Sequence, residues 1–195
     1  MHSYSCNQKS YKWVVISIFV LAVTIAYGYH LLSIKFSFAL PWYVEAPSIF
    51  GVYGLIAWLY DIFLWKKSIF GIKLSRIPIY EGMWKGILIS SYDKGKEIPC
   101  ILEIKQSWSS ILCKLSTETS ESYSCVARIE SEAGVEEGIQ WMYDNRPLNS
   151  APKGMHIHRG VAHGKIGEDG KLVCDYFNCS RDRPTYGTIT LERAS

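Results

Sequence analysis

The chain carries few of the signatures that would mark it as an enzyme or a disulfide scaffold. It has no CxxC, no HExxH and no GxSxG, and no glycine-rich loop stands before a helix. The first two absences remove the familiar zinc spacings, the third the nucleophile elbow of serine hydrolases, and the last a phosphate cradle. Cys100, Cys113, Cys125, Cys174 and Cys179 in the back part are odd in number and lack paired spacing. That pattern suits a reducing compartment, with Cys174 and Cys179 as small apolar fillers. The Asn178-Cys-Ser sequon is irrelevant in that setting. A basic stripe is also missing: residues 77–195 hold fourteen Lys/Arg against sixteen Asp/Glu, which argues against DNA or RNA as a partner.

Charge is absent altogether from one long run. Residues 13–32 contain no Asp, Glu, Lys or Arg, and as a helix they rise roughly 30 Å, a bilayer's hydrocarbon thickness. Residues 48–65 form a second apolar run whose single charge is Asp61. Trp13, Tyr27, Tyr29, Trp42, Tyr43 and Trp65 stand near the ends, where amphipathic rings favour the interface. The first run is too long for a signal peptide, and no clean A-x-A site follows it. The expectation is a membrane hairpin: a cytosolic tail (1–12), transmembrane helices at 13–32 and 48–65, a periplasmic loop (33–47) and a basic linker (66–77). Lys9 and Lys12 before the hairpin, and Lys66, Lys67, Lys73 and Arg76 after it, place both termini in the cytosol by the positive-inside rule.

Within the second helix, Gly51 and Gly54 share a face that allows close helix packing. Asp61 lies about one turn from the basic end. It is expected to reach the interface or pair with Lys66 or Lys67; the alternative is a hydrogen bond between helices of an oligomer, or a pore lining.

Residues 78–195 read as about eight short strands, split by turn residues in YDKGKE, ETSES, EAGVEEG, RPLNSAPKG, GEDG and RDRP. No amphipathic helix, repeat or low-complexity stretch interrupts them. The fold class expected is an all-β, eight-stranded antiparallel up-and-down barrel able to hold one small ligand, with an open two-sheet sandwich as the alternative. Strand alternation assigns an inner face to Ile139, Trp141, Tyr143 and Asn145; to His158, Gly160 and Ala162; to Leu172, Cys174, Tyr176 and Asn178; and to Gly187, Ile189 and Leu191. Trp141, Tyr143, Asn145, His158, Tyr176 and Asn178, with Arg181 just beyond, are then the candidate ligand-binding residues. Aromatic walls with a few polar groups make a pocket, and Arg forks and Tyr faces suit phosphates and bases. Arg146 and Arg183 stand in turns at the same end, with solvated charge as the plain reading. His156 and His158, with His163 nearby, are the one metal-like spacing, but they lack further ligands and read as hydrogen-bonding strand histidines. No cofactor or metal is expected, and no enzymatic activity.

The two-helix hairpin followed by EGMWKGIL, WMYDNRP, HRGVAHGKI and LVCDYFNCSRDRPTYGTITLER resembles the two-transmembrane β-barrel effectors of bacterial cyclic-oligonucleotide-based anti-phage signalling, CBASS. Gly82 and Trp84 match the GxW-like opening of that family's lipocalin-like barrel. Tyr143, Asn145 and Pro147 match its aromatic–Asn–Pro element, and Tyr176, Asn178 and Arg181 its aromatic–Asn–Arg element. The resemblance implies that the cytosolic barrel senses a cyclic dinucleotide made by a partner nucleotidyltransferase. It further implies homo-oligomerisation and disruption of the bacterial inner membrane. Rival readings from the residues alone are a membrane-tethered carrier of a lipid or other apolar molecule and, last, a small hydrolase using a barrel histidine.

Overall fold

The computed structural model describes residues 1–6, 10–35, 42–69, 71–93, 95–130, 137–152, 154–178 and 184–194, without the side chains of residues 10, 42–48 and 93. The chain forms two compact units, one of residues 8–75 and one of residues 1–7 with 76–195.

The first unit holds two helices, α1 (Ser10–Lys35) and α2 (Trp42–Ile62). They pack on each other: Phe19 meets Tyr53 edge-to-face with ring centroids 6.4 Å apart. Ile18 and Ala22, one turn apart, are buried, while Trp13, Phe19, Val20, Ile25 and Leu32 face outward. A helix apolar on every side is one that solvates itself in hydrocarbon. Of the two expected spanning helices, only α1 is, among the described residues, long and apolar enough to cross a membrane. The described apolar stretch of α2 is Ile49–Ile62. α2 carries Glu45 near one end and Asp61 near the other. The uncharged residues between them rise only about 22 Å. Past α2, a two-stranded ribbon pairs β2 (Ser68–Ile69) with β3 (Ile72–Lys73).

The second unit is a closed barrel of nine strands, not the eight expected. Eight of them are the sequential antiparallel meander read from the sequence. They are β4 (Gly82–Ser90), β5 (Glu97–Gln106), β6 (Ser110–Ser116), β7 (Ser120–Glu130), β8 (Gly138–Pro147), β9 (His158–Ile166), β10 (Leu172–Asn178) and β11 (Tyr186–Arg193). Closure is made by β11 on β4, with Thr190 opposite Ile87. The ninth strand is β1 (His2–Cys6), from the segment expected to be a cytosolic tail. It lies between β6 and β7, antiparallel to the first and parallel to the second. HSYSC offers no apolar alternation to mark it as a strand; its partners lie more than a hundred residues away.

One end of the barrel is plugged. Trp84 and Tyr80 are each 1 % exposed, and the Trp84 indole N–H donates to the Tyr80 carbonyl at 2.9 Å. The Arg193 guanidinium lies 4.6 Å from the Trp84 ring and donates to the carbonyls of Glu81 and Ile79. Gly82 takes φ +141°, a conformation other residues avoid, at the turn that brings Trp84 under the strands. Gln106, buried as the last residue of β5, accepts from the Tyr80 N–H and donates to the Pro78 carbonyl. Above this plug, Leu102, Ile104, Ile111, Ile129, Ile139, Leu172, Ile189 and Leu191 fill the lower half of the barrel and are at most 2 % exposed.

Candidate functional site

The composition of the inner wall changes halfway along the strands. Towards the unplugged end, the buried positions become Ser90, Ser122, Ser124 and Asn145 in place of aliphatic side chains. The strand register arranges this upper half in levels. Trp141, Ala162, Tyr176, Gly187 and Ser90 are successive cross-strand partners around the wall. The next level up joins Tyr143, Gly160 and Asn178, and the highest joins Asn145 to His158. Six of the seven candidate ligand residues therefore stand on three adjacent levels of one wall, with Trp141 as the apolar floor. Arg181, like Arg183 and Cys179, lies outside the described residues.

Two glycines shape this wall. The Tyr143 ring lies over Gly160, where a Cβ would collide with the phenol and come within 2.7 Å of the Phe177 carbonyl. Tyr176 lies over Gly187 in the same manner, its Cε1 only 2.8 Å from where a Cβ would be. Each tyrosine thus occupies the space a neighbouring side chain gives up, which orients two aromatic faces at the mouth. Burial pushes the Tyr176 phenol up from its ordinary value, the Ser90 hydroxyl opposing it, so the phenol is protonated at neutral pH.

The polar members differ in what they already hold. Asn178 Oδ1 accepts the Thr185 N–H at 2.9 Å, and the Asn178 N–H donates to the Thr185 carbonyl, so this residue closes the β10–β11 connection. His158 Nδ1 is hydrogen-bonded to the His156 carbonyl at 3.0 Å. Asn145 is 6 % exposed, yet its carboxamide makes no hydrogen bond to another described residue. A carboxamide on the highest level of the wall, with no bond to a described residue, is available to a polar ligand. An open cavity of about 560 Å³ at the rim is walled by Ser90, Tyr176 and Gly187 from inside and by Phe177, Tyr186 and Thr188 from outside. Of the candidate ligand residues on the wall only Tyr176 lines it; Tyr143, Asn145 and His158 do not.

Other candidates do not join this wall. Arg146 is exposed at the end of β8, opposite Glu121. His156 is exposed ahead of β9 and His163 faces outward, so the three histidines do not converge; among the described residues no group of three His, Cys, Asp or Glu is placed for a metal ion. The thiols of Cys100 and Cys113 are pushed up to about 11 and about 12 by burial, and that of Cys174 is raised for the same cause. They are neutral packing groups at physiological pH. In the helical unit, a Cβ at Gly51 or Gly54 would meet nothing within 4 Å, and Asp61 is half-buried near the end of α2.

Sequence reading missed the serines of β7. A bulge between Ser124 and Val126 shifts the register, so Ser122, Ser124, Ala127 and Ile129 all point inward while Val126 is 59 % exposed. Simple alternation cannot pass through a bulge.

No curated protein matches the chain. Residues 75–193 match the family described as Cap15, cyclic dinucleotide receptor domain. The match spans β4 to β11 and so includes both tyrosine–glycine pairs and Asn145. With a family model covering more than half of its length, the chain belongs to the Cap15 cyclic dinucleotide receptor family of CBASS effectors.

Proposed function

We propose that this chain is a non-enzymatic membrane effector in which a cyclic dinucleotide bound at the barrel mouth drives homo-oligomerisation and breaches the bacterial inner membrane. The observation that carries the ligand site is the pair of glycine-backed tyrosines, with the Asn145 carboxamide on the level above them. In this reading Tyr143 and Tyr176 offer faces to the bases, Asn145 reads a base or ribose edge, and His158, Asn178 and Arg181 border the phosphates. An apolar carrier would instead line its mouth with hydrocarbon; three buried serines and an asparagine disfavour that reading.

Membrane topology is supported by the barrel itself. β1 precedes α1 in the chain, yet shares one barrel with β4 to β11, which follow α2. A chain that crosses the bilayer in α1 must therefore return before Gly82, and α2 is the helix available to do so. Its 21 residues rise about 31 Å, enough to span when Glu45 and Asp61 sit at the two interfaces. The lysines flanking the hairpin then hold both termini in the cytosol. In sealed inverted inner-membrane vesicles, a maleimide reagent that cannot cross the bilayer is expected to label Cys125, which is exposed on the barrel. Protection of Cys125 in inverted vesicles, with labelling in right-side-out spheroplasts, would reverse the orientation.

The decisive experiment is calorimetry of the full chain in nanodiscs with cyclic di-AMP, cyclic di-GMP, cyclic GMP–AMP and, as the rival, palmitate. Binding of a cyclic dinucleotide that is weakened at least about tenfold by Tyr143→Ala, the loss of one stacked base, supports the reading. Binding of palmitate alone sinks it. The same ligand should induce dye leakage from reconstituted vesicles, because assembly and binding are reciprocally coupled.

A further inference from the structure

β1 is not a passive tail: we infer that its docking in the barrel and occupancy of the mouth stabilise each other, which makes β1 the strand that carries ligand state to α1. The inference rests on the cyclic-dinucleotide reading above and adds a transmitting element to it.

β6 and β7 pair directly only from Lys114–Tyr123 to Ser116–Glu121, at the mouth. Below that they part, and β1 fills the gap, with His2 opposite Ile111, Ser3 opposite Ser110, Tyr4 opposite Ala127 and Cys6 opposite Ile129. The fork opens at Ser124, beside the β7 bulge. The Ser124 hydroxyl oxygen accepts the Cys113 N–H at 2.9 Å and is hydrogen-bonded to His2 Nε2 at 2.8 Å. Three strands thus meet at one buried oxygen. Ser124 is also the register partner of Tyr143, the tyrosine laid over Gly160. A ligand pressing on Tyr143 is therefore one cross-strand step from the atom that holds the tip of β1.

The other end of β1 leads to the membrane helix. The Tyr4 hydroxyl donates to the Trp108 carbonyl at 2.7 Å, tying the strand to the β5–β6 turn. Cys6 then precedes α1, which begins at Ser10. Five residues held between two strands form a small unit that can leave without unfolding the rest. Departure would leave backbone donors and acceptors of β6 and β7 unpaired along the wall below the mouth, from Ser124 down. A ligand that needs that wall intact binds the docked state more tightly, and by linkage it strengthens docking by the same factor.

The test is amide hydrogen exchange on the full chain in phosphatidylethanolamine–phosphatidylglycerol nanodiscs, with cyclic di-AMP, cyclic di-GMP and cyclic GMP–AMP. A binding ligand is expected to slow exchange in residues 2–6 by about tenfold, within the ordinary range of coupling between sites. His2→Ala should speed that exchange without ligand and weaken ligand binding by about the same factor. Because the alanine variant could lose the strand entirely, Ser3→Cys with Ser110→Cys provides the opposite perturbation. Oxidised, it locks β1 in place and should bind more tightly than when reduced. Ligand binding with unchanged exchange in residues 2–6, or equal affinity of the locked and reduced forms, overturns the coupling alone. If none of the three nucleotides binds, the ligand reading and the coupling fall together.

Discussion

Trp84→Ala is expected to cost the barrel about 3–5 kcal/mol. Area alone does not set the figure. The indole is 1 % exposed, its N–H satisfies the Tyr80 carbonyl, and its ring carries the Arg193 guanidinium. Truncation opens a cavity at the floor, orphans a buried carbonyl and removes the surface on which Arg193 rests while it binds Glu81 and Ile79. In a thermal melt of the β-sheet circular dichroism signal, the midpoint should fall by at least about 10 °C. Arg193→Lys, which keeps the charge but loses the planar fork, should cost about 1 kcal/mol. A midpoint for Trp84→Ala within about 3 °C of wild type would show that the plug is not what closes the barrel.

Asn145→Leu should separate function from stability. The Asn145 carboxamide bonds to no other described residue, so the barrel draws no described hydrogen bond from it. Replacing it with an apolar side chain of similar volume should leave stability unchanged or raise it by about 1 kcal/mol. Cyclic-dinucleotide affinity should fall by at least about tenfold, since a buried polar contact to the ligand is worth about 1–3 kcal/mol. Both readouts come from one preparation, by melting and by calorimetry. Wild-type affinity in the variant would remove Asn145 from the site. A large loss of stability would instead assign it to the scaffold.

These residues show how far local pattern reaches. The inward sets on β8, β9, β10 and β11 were legible because successive side chains of a strand point to opposite faces, and the lower half of each face is hydrocarbon. Ile139 with Trp141, Leu172 with Cys174 and Ile189 with Leu191 anchor the phase of their strands, and Tyr143, Asn145 and Tyr176 follow by counting in twos. Gly82 and Trp84 were legible as a motif, though not the reason for them. That reason is a stack of Trp84 on Arg193, two residues at opposite ends of the barrel sequence. Ser122 and Ser124 were hidden by the bulge in β7. Asn178 was read as a ligand contact, and the structure gives its side-chain oxygen to the turn at Thr185.

By itself the sequence determined the apolar helical front, the bias of charge around it, the all-β back part and the inner face of β8 to β11. Each is a local property: a run of uncharged residues, a period of two, a turn residue at a fixed offset. Only the tertiary structure decided that Tyr143 rests on Gly160 and Tyr176 on Gly187, that the Asn145 carboxamide bonds to no other described residue, and that HSYSC is a barrel strand. Those facts depend on which strands become neighbours. A five-residue segment with no apolar phase of its own becomes a strand because β6 and β7 part below Ser124 and leave their backbone groups to be paired.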